Sequence, residues 1–221
     1  MTSARLPGKV MRLVSGQPML GYLLDRLEKI GEEQRIIVAT STHESDEVIN
    51  SYCGARGTEC VRGPLDNVAE RVAKVLDQTL ATSFVRISAD SPLMDPELIK
   101  RGQNLFAIKD ADLVTNVLHR TYPKGMSVEI VDAKAFRMAY AKITKAADKE
   151  HVTRVFYKNP DEWKIEEFQN EHDLHGINLS VDTEADFLGF SKVIARMERP
   201  HWTYGLGEIL HLMFGTDLAA V

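Results

Sequence analysis

Short apolar runs alternate with longer amphipathic ones along most of the chain. Residues 35–40 and 83–88 are rich in β-branched and aromatic side chains and have the length of buried strands. Residues 18–30 instead place Met19, Leu23 and Leu27 at helical spacing, with Pro18 at the start and a glycine after the last turn. This alternation predicts an α/β layer fold.

The same periodicity predicts the remaining elements. Further helices are expected over 44–52, 66–78, 96–106, 133–144, 149–157 and 183–197, with Asp66 and Asp95 as N-caps. Further strands or extended segments are expected over 59–62, 111–116, 126–131, 163–168 and 177–182. Neither a repeat nor a Pro/Gly/Ser-rich linker divides the sequence, so we expect one domain over residues 1–221.

Charge and composition narrow the classes of partner. The 221 residues carry a net charge of −5, and the basic residues form no run, which argues against a protein that coats nucleic acid. No apolar stretch approaches the roughly 18 residues of a membrane span, and the first residues lack a secretory signal, so we expect a cytoplasmic protein without a membrane partner. Cys53 and Cys60 fit neither a disulfide framework nor a zinc pattern and are expected to be free thiols.

The N-terminal segment 2–9 is the first candidate for chemistry. It combines the hydroxyl of Ser3 and the cations Arg5 and Lys9 with a proline and a glycine, and it offers little for a core. Such a loop can turn backbone N–H groups and full positive charge toward a phosphate. A solvated N-terminal tail explains the same composition equally well.

Two aspartates follow apolar runs directly. Asp90 comes after the strand predicted at 83–88, and Asp182 ends the run 177–182. Carboxylates at the carboxyl edge of an α/β sheet stand where such folds bind ligands. If the two strands are neighbours, Asp90 and Asp182 can share one Mg²⁺, an ion that takes only one or two protein carboxylates. Taken singly, each aspartate is also explained as a turn or helix cap.

Seven motifs occur in one order along the sequence. They are Arg5-Leu-Pro-Gly-Lys9, Val38-Ala-Thr-Ser41, Arg62-Gly63 with Asp66-Asn-Val-Ala-Glu-Arg71, Arg86-Ile-Ser-Ala-Asp-Ser-Pro-Leu93, Tyr122-Pro-Lys-Gly125, Lys149-Glu-His-Val-Thr153 and Ser180-Val-Asp-Thr-Glu-Ala-Asp-Phe187. Together they resemble the spore-coat polysaccharide (SpsF-type) branch of the cytidylyltransferases, relatives of the enzymes that make CMP-sialic acid and CMP-KDO. The resemblance spans residue 1 to about residue 190.

The resemblance implies a fold and a reaction. The fold is that of the nucleotide-diphosphosugar transferases, a mostly parallel sheet flanked by helices. The reaction joins a sugar, such as an acidic sugar, to CMP from CTP, with Mg²⁺ as cofactor and pyrophosphate as product, for surface polysaccharide biosynthesis. Relatives are often dimers, so a homodimer is one expected assembly.

The resemblance also assigns residues. Arg5 and Lys9 match triphosphate-binding and catalytic positions, and Asp90 and Asp182 match the paired Mg²⁺ ligands. The remaining positions are grouped by the part of the pocket on which they fall. Ser3, Arg62, Gly63 and Asp66 fall on the nucleotide side, and Pro123, Gly125, Glu129, Glu150 and His151 fall toward the sugar.

One departure from the family pattern leaves alternatives open. Family members carry an apolar first strand ahead of the phosphate loop, whereas the printed sequence begins at that loop. We expect a start codon assigned too late or a fragment rather than true loss of the strand. A glycosyltransferase that consumes a nucleotide sugar is a second interpretation, although the single carboxylate of Ala89-Asp90-Ser91 favours nucleotidyl transfer. A non-catalytic nucleotide or sugar binder is the third.

Overall fold

Eight strands and nine α-helices alternate along residues 5–215, the part of the chain that the computed structural model describes. The strands are β1 (Leu13–Val14), β2 (Gln17–Pro18), β3 (Ile37–Ser41), β4 (Glu59–Gly63), β5 (Ser83–Arg86), β6 (Leu113–Thr115), β7 (Glu129–Asp132) and β8 (Ile165–Glu167). The helices are α1 (Met19–Leu27), α2 (Glu47–Arg56), α3 (Val68–Thr79), α4 (Pro96–Ile108), α5 (Ala133–Tyr140), α6 (Ala146–Glu150), α7 (Arg154–Lys158), α8 (Glu184–Ala195) and α9 (Leu206–Phe214). The predicted α/β class is confirmed.

The strand ladders are mixed, where the resemblance implied mostly parallel pairing. β3 and β4 pair in parallel, and a second sheet runs in the order β5-β7-β6-β8. In that sheet β7 is antiparallel to both β5 and β6, whereas β6 and β8 are parallel. The connection from β6 to β7 contains no helix, and without such a crossover the chain returns antiparallel.

Four strands of the two larger ladders keep an open edge within residues 5–215, among them β3 and β5. β3 pairs only with β4, and β5 pairs only with β7. The described part of the chain contains no strand ahead of the β1/β2 hairpin, in which Leu13 pairs with Pro18.

Helix starts follow the side-chain chemistry, with one correction. Asp95 caps α4 as predicted, since its carboxylate accepts from the backbone N–H of Glu97 at 3.0 Å and Pro96 follows it. The cap of α3 is Asn67, which accepts from the N–H of Glu70, so the predicted cap Asp66 is wrong. Asp66 is thereby left exposed, one residue ahead of the cap.

The predicted strand over 177–182 is also wrong. Its one ladder contact among the described residues is an isolated parallel bridge between Lys124 and Asn178. Its backbone bonds go to two loops instead, since Leu179 N–H donates to Lys124 and Val181 N–H donates to the carbonyl of Asp90. The segment therefore joins loops rather than extending a sheet.

Three apolar clusters form the interior. The main cluster packs α1, α4, α8 and α9 against the sheet and includes the buried residues Ile99 and Ile209. A second cluster lies around Phe136 and Phe156. Cys53 lies in the third, where burial raises the pKa of its thiol to about 12, and both cysteines are free, as predicted. Within residues 5–215 no helix has the length and apolarity needed to cross a membrane.

Candidate functional site

One lysine joins the two aspartates that the sequence singled out. Nζ of Lys9 lies 2.9 Å from Oδ2 of Asp90 and 2.9 Å from Oδ1 of Asp182. Because both oxygens contact the same nitrogen, they lie less than about 6 Å apart. The structure thus brings Asp90 and Asp182 together on Lys9 of the N-terminal turn, while their role as metal ligands stays a prediction.

The N-terminal turn is held against the body of the protein. Leu6 is buried in the main apolar cluster, which corrects the expectation that this segment offers little to a core. Gly8 adopts φ +72°, a left-handed conformation that suits glycine, and opens the short 3-10 helix Lys9–Met11. These two residues direct the Lys9 side chain inward, where only 11% of it is exposed.

The segment 177–182 brings its aspartate to the site by binding two loops. Val181 N–H donates to the carbonyl of Asp90 at 2.8 Å, and Leu179 N–H donates to the carbonyl of Lys124 at 2.7 Å. Gly125 makes the second contact sterically feasible, because a Cβ there would lie 2.6 Å from the backbone of Leu179. The loops after β5 and before β7 are thus tied together through the chain that carries Asp182.

Two further cations complete the charge cluster. Lys124 Nζ lies 2.6 Å from Oδ2 of Asp182, and the guanidinium of Arg5 lies 3.1 Å from the same oxygen. Burial opposes ionisation of Asp182, but the hydrogen bonds from Lys124 and Lys9 outweigh it and hold the pKa of this carboxyl well below its usual range. Lys124 was missed as a site residue, although the sequence signal was a lysine between Pro123 and Gly125 in one of the seven motifs.

The donor set fits a magnesium ion bound with a nucleotide. Two carboxylates directed at one cation match the one or two protein ligands that Mg²⁺ accepts when phosphate and water supply the rest. The ammonium of Lys9 takes the place between them, which shows that the position accommodates positive charge. Within residues 5–215 no group of three or more His, Cys, Asp or Glu side chains is placed to hold a metal, so these residues form no all-protein cage.

A cavity of about 580 Å³ adjoins the cluster at Lys9 and Ala89. Its apolar wall includes Leu20, Val38 and Ile49, and its polar lining includes Asp66 and Arg71. This volume is in the range of small-molecule and cofactor pockets. The cavity therefore gives the charged cluster an adjacent site of nucleotide size.

The residues predicted for the nucleotide side divide. Asp66 lines the cavity. The guanidinium of Arg62 instead donates to the carbonyls of Ser41 and His43 and pairs with Glu47. The direct nucleotide contact expected for Arg62 does not fit this arrangement. Ser3 lies outside the described residues.

Gly63 acts through a neighbour rather than directly. A Cβ on Gly63 would lie 2.8 Å from Cγ of Arg71, so its missing side chain gives room to that arginine. Arg71 lines the cavity with a buried Nε that has no hydrogen-bond partner in the described structure. The sequence missed Arg71 as a site residue because an arginine on an amphipathic helix is ordinarily read as surface.

The residues predicted for the sugar side divide as well. Pro123 and Gly125 are buried, so the side chain that this loop presents is that of Lys124. Glu129 is also buried, and its carboxylate pairs with Arg86 and accepts from Thr153 and Tyr157 at 2.6 Å each. Direct substrate contact by the Glu129 carboxylate does not fit this arrangement, whereas the contacts expected for Pro123 and Gly125 stay predictions.

Two sugar-side candidates remain accessible. Glu150 is exposed and lines the cavity at the end of α6. His151 is exposed and follows α6 as its C-cap, with its backbone N–H bound to Ala147, whereas the helix predicted over 149–157 placed it in a first turn. Of the five sugar-side residues, Glu150 is the one that lines this cavity.

Known proteins are similar to this chain in sequence and in fold. The chain is 26% identical over 209 residues to the spore coat polysaccharide biosynthesis protein SpsF of Bacillus subtilis, covering 90% of this chain and 85% of the relative. Its fold matches a cytidylyltransferase from Leptospira borgpetersenii with a TM-score of 0.90 at 23% identity, covering 96% of this chain and 89% of the other. It also matches CMP:2-keto-3-deoxy-manno-octonic acid synthetase complexed with CTP, with a TM-score of 0.66 at 14% identity over 88% and 94% of the two chains.

The family model described as cytidylyltransferase matches residues 1–199, nearly the whole sequence. That range contains both aspartates, the three cations around them and the cavity lining. The chain belongs to the cytidylyltransferase family.

Proposed function

We propose that this protein transfers a cytidylyl group from CTP to a sugar and releases pyrophosphate. The observation that carries the proposal is the contact of Lys9 with both Asp90 and Asp182 at the mouth of a cavity of nucleotide size. The named relative acts in spore coat polysaccharide biosynthesis, and a structural neighbour binds CTP, which supports a sugar as acceptor and CTP as donor.

Arg5, Lys9 and Lys124 bind the triphosphate in this proposal. All three cations contact Asp182, and together they exceed the two carboxylates by one positive charge. A guanidinium grips phosphate oxygens with two parallel donors, while a lysine follows them as a movable point charge. The cluster is therefore suited to hold the β- and γ-phosphates while they leave as pyrophosphate.

Asp90 and Asp182 would hold a Mg²⁺ ion beside the α-phosphate. When bound there, the ion supplies Lewis-acid stabilisation and a template for in-line attack. The chain's own contribution is to fix Asp182 through its three cation contacts and to tie Asp90 to Val181 by a backbone hydrogen bond. Preorganised charge of this kind is usually the largest catalytic term.

Bond changes in the proposed step balance without an additional reagent. A hydroxyl oxygen of the sugar forms a bond to the α-phosphorus, the bridging P–O bond to the β-phosphate breaks, and its electron pair departs with pyrophosphate. The hydroxyl proton passes to water. Lys9 and Arg5 stabilise the charge that builds on the leaving oxygens, so the residues named do the electrostatic work that phosphoryl transfer requires.

Arg71 and Asp66 would recognise the base in the cavity. Cytosine offers two hydrogen-bond acceptors and an amino donor on its pairing edge, and an arginine and a carboxylate supply the complementary groups. The buried Nε of Arg71, without a partner in the described residues, supports this placement. Glu150, on the same cavity, would face the sugar.

Pyrophosphate release tests the proposal. The full chain is incubated with CTP, Mg²⁺ and a panel of acidic sugars, with UTP, GTP and ATP in parallel, and products are identified by mass spectrometry. We expect pyrophosphate and a CMP-sugar with CTP and at least one sugar. CTP binding without turnover on any sugar would favour a non-catalytic binder, and sugar transfer from a nucleotide sugar to an acceptor would favour a glycosyltransferase.

A further inference from the structure

The ammonium of Lys9 occupies the position that joins the two carboxylates. It donates to an oxygen of each aspartate at 2.9 Å and to no other carboxylate among the described residues, and its side chain is almost fully enclosed. A divalent ion shared by Asp90 and Asp182 would need the same two oxygens at about 2.1 Å each. Lys9 in its observed position and such an ion therefore compete for the same ligands.

Charge adds to this competition. Asp182 already faces Arg5 and Lys124 at its second oxygen, so the cluster carries more positive than negative charge before any metal enters. A divalent ion approaching this cluster meets three cations at short range, where the repulsion is weakly screened. The protein without nucleotide is consequently a poor host for the ion.

A bound triphosphate would change both the competition for the two carboxylates and the net charge of the cluster. Lys9 lines the nucleotide-sized cavity as well as contacting the aspartates, so a triphosphate bound there would lie beside this residue. The flexible stem of a lysine allows its ammonium to turn toward such a ligand without a backbone change. Phosphate charge would also neutralise Arg5 and Lys124.

We propose that Lys9 closes the divalent-cation position in the free protein and opens it when the triphosphate draws its ammonium away, so that the metal binds together with the nucleotide. This inference rests on the proposed function, because it takes a nucleoside triphosphate as the ligand that moves Lys9. Coupling between two ligands through one group is reciprocal, and values of 5- to 150-fold are typical.

Metal binding without nucleotide tests the inference. Mn²⁺ is titrated into the protein, and the free ion is followed by electron paramagnetic resonance. We expect Lys9→Met, which keeps the length of the side chain and removes its charge, to bind Mn²⁺ about tenfold more tightly than the wild type, within the usual range of such couplings. A residue with a merely structural role would weaken metal binding when removed.

Lys124→Met is the matched control. It removes the same charge from the same aspartate, at Oδ2, and leaves the position between Asp90 and Asp182 filled by Lys9. We expect a much smaller gain in Mn²⁺ affinity for this variant. An equal gain in both variants would overturn the inference, because it would reflect only charge lost near Asp182, and so would unchanged affinity in Lys9→Met.

Thermal stability provides a second readout. Without Lys9 the two carboxylates lose the cation that lies between them, so Lys9→Met should unfold at a lower temperature than the wild type and recover several degrees on addition of Mn²⁺ alone. The wild type should gain little from the ion by itself. Lys9→Gln, which keeps hydrogen-bond donors, serves the same test if the Met variant folds poorly. A wild-type gain equal to that of both variants would contradict the inference.

The outcome is separable from that of the proposed function. Both readouts use the metal alone and need neither CTP nor a sugar. If the wild type releases pyrophosphate but Lys9→Met shows no gain in Mn²⁺ affinity, Lys9 does not close the cation position, and the proposed reaction is unaffected. The reverse pair of results would leave a cation position closed by Lys9 in a protein that does not use CTP.

Discussion

Lys124 and Lys9 hold the two oxygens of Asp182 separately. Lys124 Nζ lies 2.6 Å from Oδ2, and Lys9 Nζ lies 2.9 Å from Oδ1. About half of the Lys124 side chain is exposed, whereas Lys9 is enclosed. Lys124 therefore holds the carboxylate in place while its own ammonium stays accessible to a substrate anion.

Replacing Lys124 should reduce turnover. We expect Lys124→Met to lower kcat for pyrophosphate release about 10²-fold, the usual loss when one preorganised donor to a developing charge is removed. Lys124→Arg should retain part of the activity because the charge persists. Lys100→Met, which removes a lysine paired with Glu97 on the surface of α4, is the control and should leave kcat unchanged. Equal activity in Lys124→Met and wild type would remove Lys124 from the triphosphate contacts.

Asp90→Asn separates catalysis from folding. The side chain is partly exposed and its described partner is Lys9, so an amide of the same size should preserve the fold. The amide removes the negative charge that would attract a divalent ion and that pairs with Lys9. We expect at least a 10²-fold loss of turnover with a melting temperature within a few degrees of the wild type. Asp77→Asn, at an exposed pair with Arg137, should change neither quantity. Full activity in Asp90→Asn would exclude this carboxylate from the reaction.

A methyl group at Gly125 should displace the segment that carries Asp182. Gly125 adopts φ +95°, and an added Cβ would lie 2.6 Å from backbone atoms of Leu179 and Ser180. Gly125→Ala should cost about 2 kcal/mol or more in unfolding free energy, measured by denaturant titration. Turnover should fall too, because Asp182 follows the displaced segment.

Gly189→Ala provides the comparison within a helix. Gly189 lies inside α8, and an added Cβ there meets nothing within 4 Å. This variant should be stabilised by about 0.5–1 kcal/mol, since alanine costs less conformational entropy in a helix. Destabilisation of both variants by the same amount would show that the contact at Leu179 is not the cause.

Acid should weaken the fold through Asp182. The pKa of this carboxyl is lowered in the folded protein because hydrogen bonds from Lys124 and Lys9 outweigh burial, while the unfolded group titrates near 3.8. The unfolded chain therefore binds more protons, and the stabilisation present above that value is lost as pH falls below it. We expect melting temperatures of wild type and Asp182→Asn to differ most near neutral pH and to approach each other progressively as the pH falls below about 4. A constant difference would contradict this.

The layer class and most elements could be predicted because they rest on apolar periodicity. The apolar face of α1 is an example, since Met19, Leu20 and Leu24 recur at helical spacing and are all buried. The segment 177–182 could not be assigned in this way, because an apolar run paired with loops has the same pattern as one paired with a strand. The extent of the chain as one domain stays a prediction.

The site residues likewise fall into those that the sequence could predict and those that it could not. Asp90, Asp182 and Lys9 were recognisable because the two aspartates follow apolar runs directly, Lys9 lies in a cationic turn, and all three belong to the motifs that carry the resemblance. Arg71 and Lys124 were not, because their importance depends on what Gly63 and Gly125 allow across the fold. Glu129 showed the opposite failure, since its partners Arg86, Thr153 and Tyr157 come from distant segments and bury a residue that the motif placed near the sugar.

Arg26 extends the protein's dependence on distant segments beyond the site. Its side chain is fully buried, with Nε 2.6 Å from the carbonyl of Met94, Nη2 2.6 Å from that of Tyr204 and Nη1 bound to that of His201. A chain that ends at residue 199, where the family match stops, would leave this guanidinium without the carbonyls of His201 and Tyr204, two of its three acceptors. The folded unit therefore extends beyond the end of the family match, at least to Tyr204.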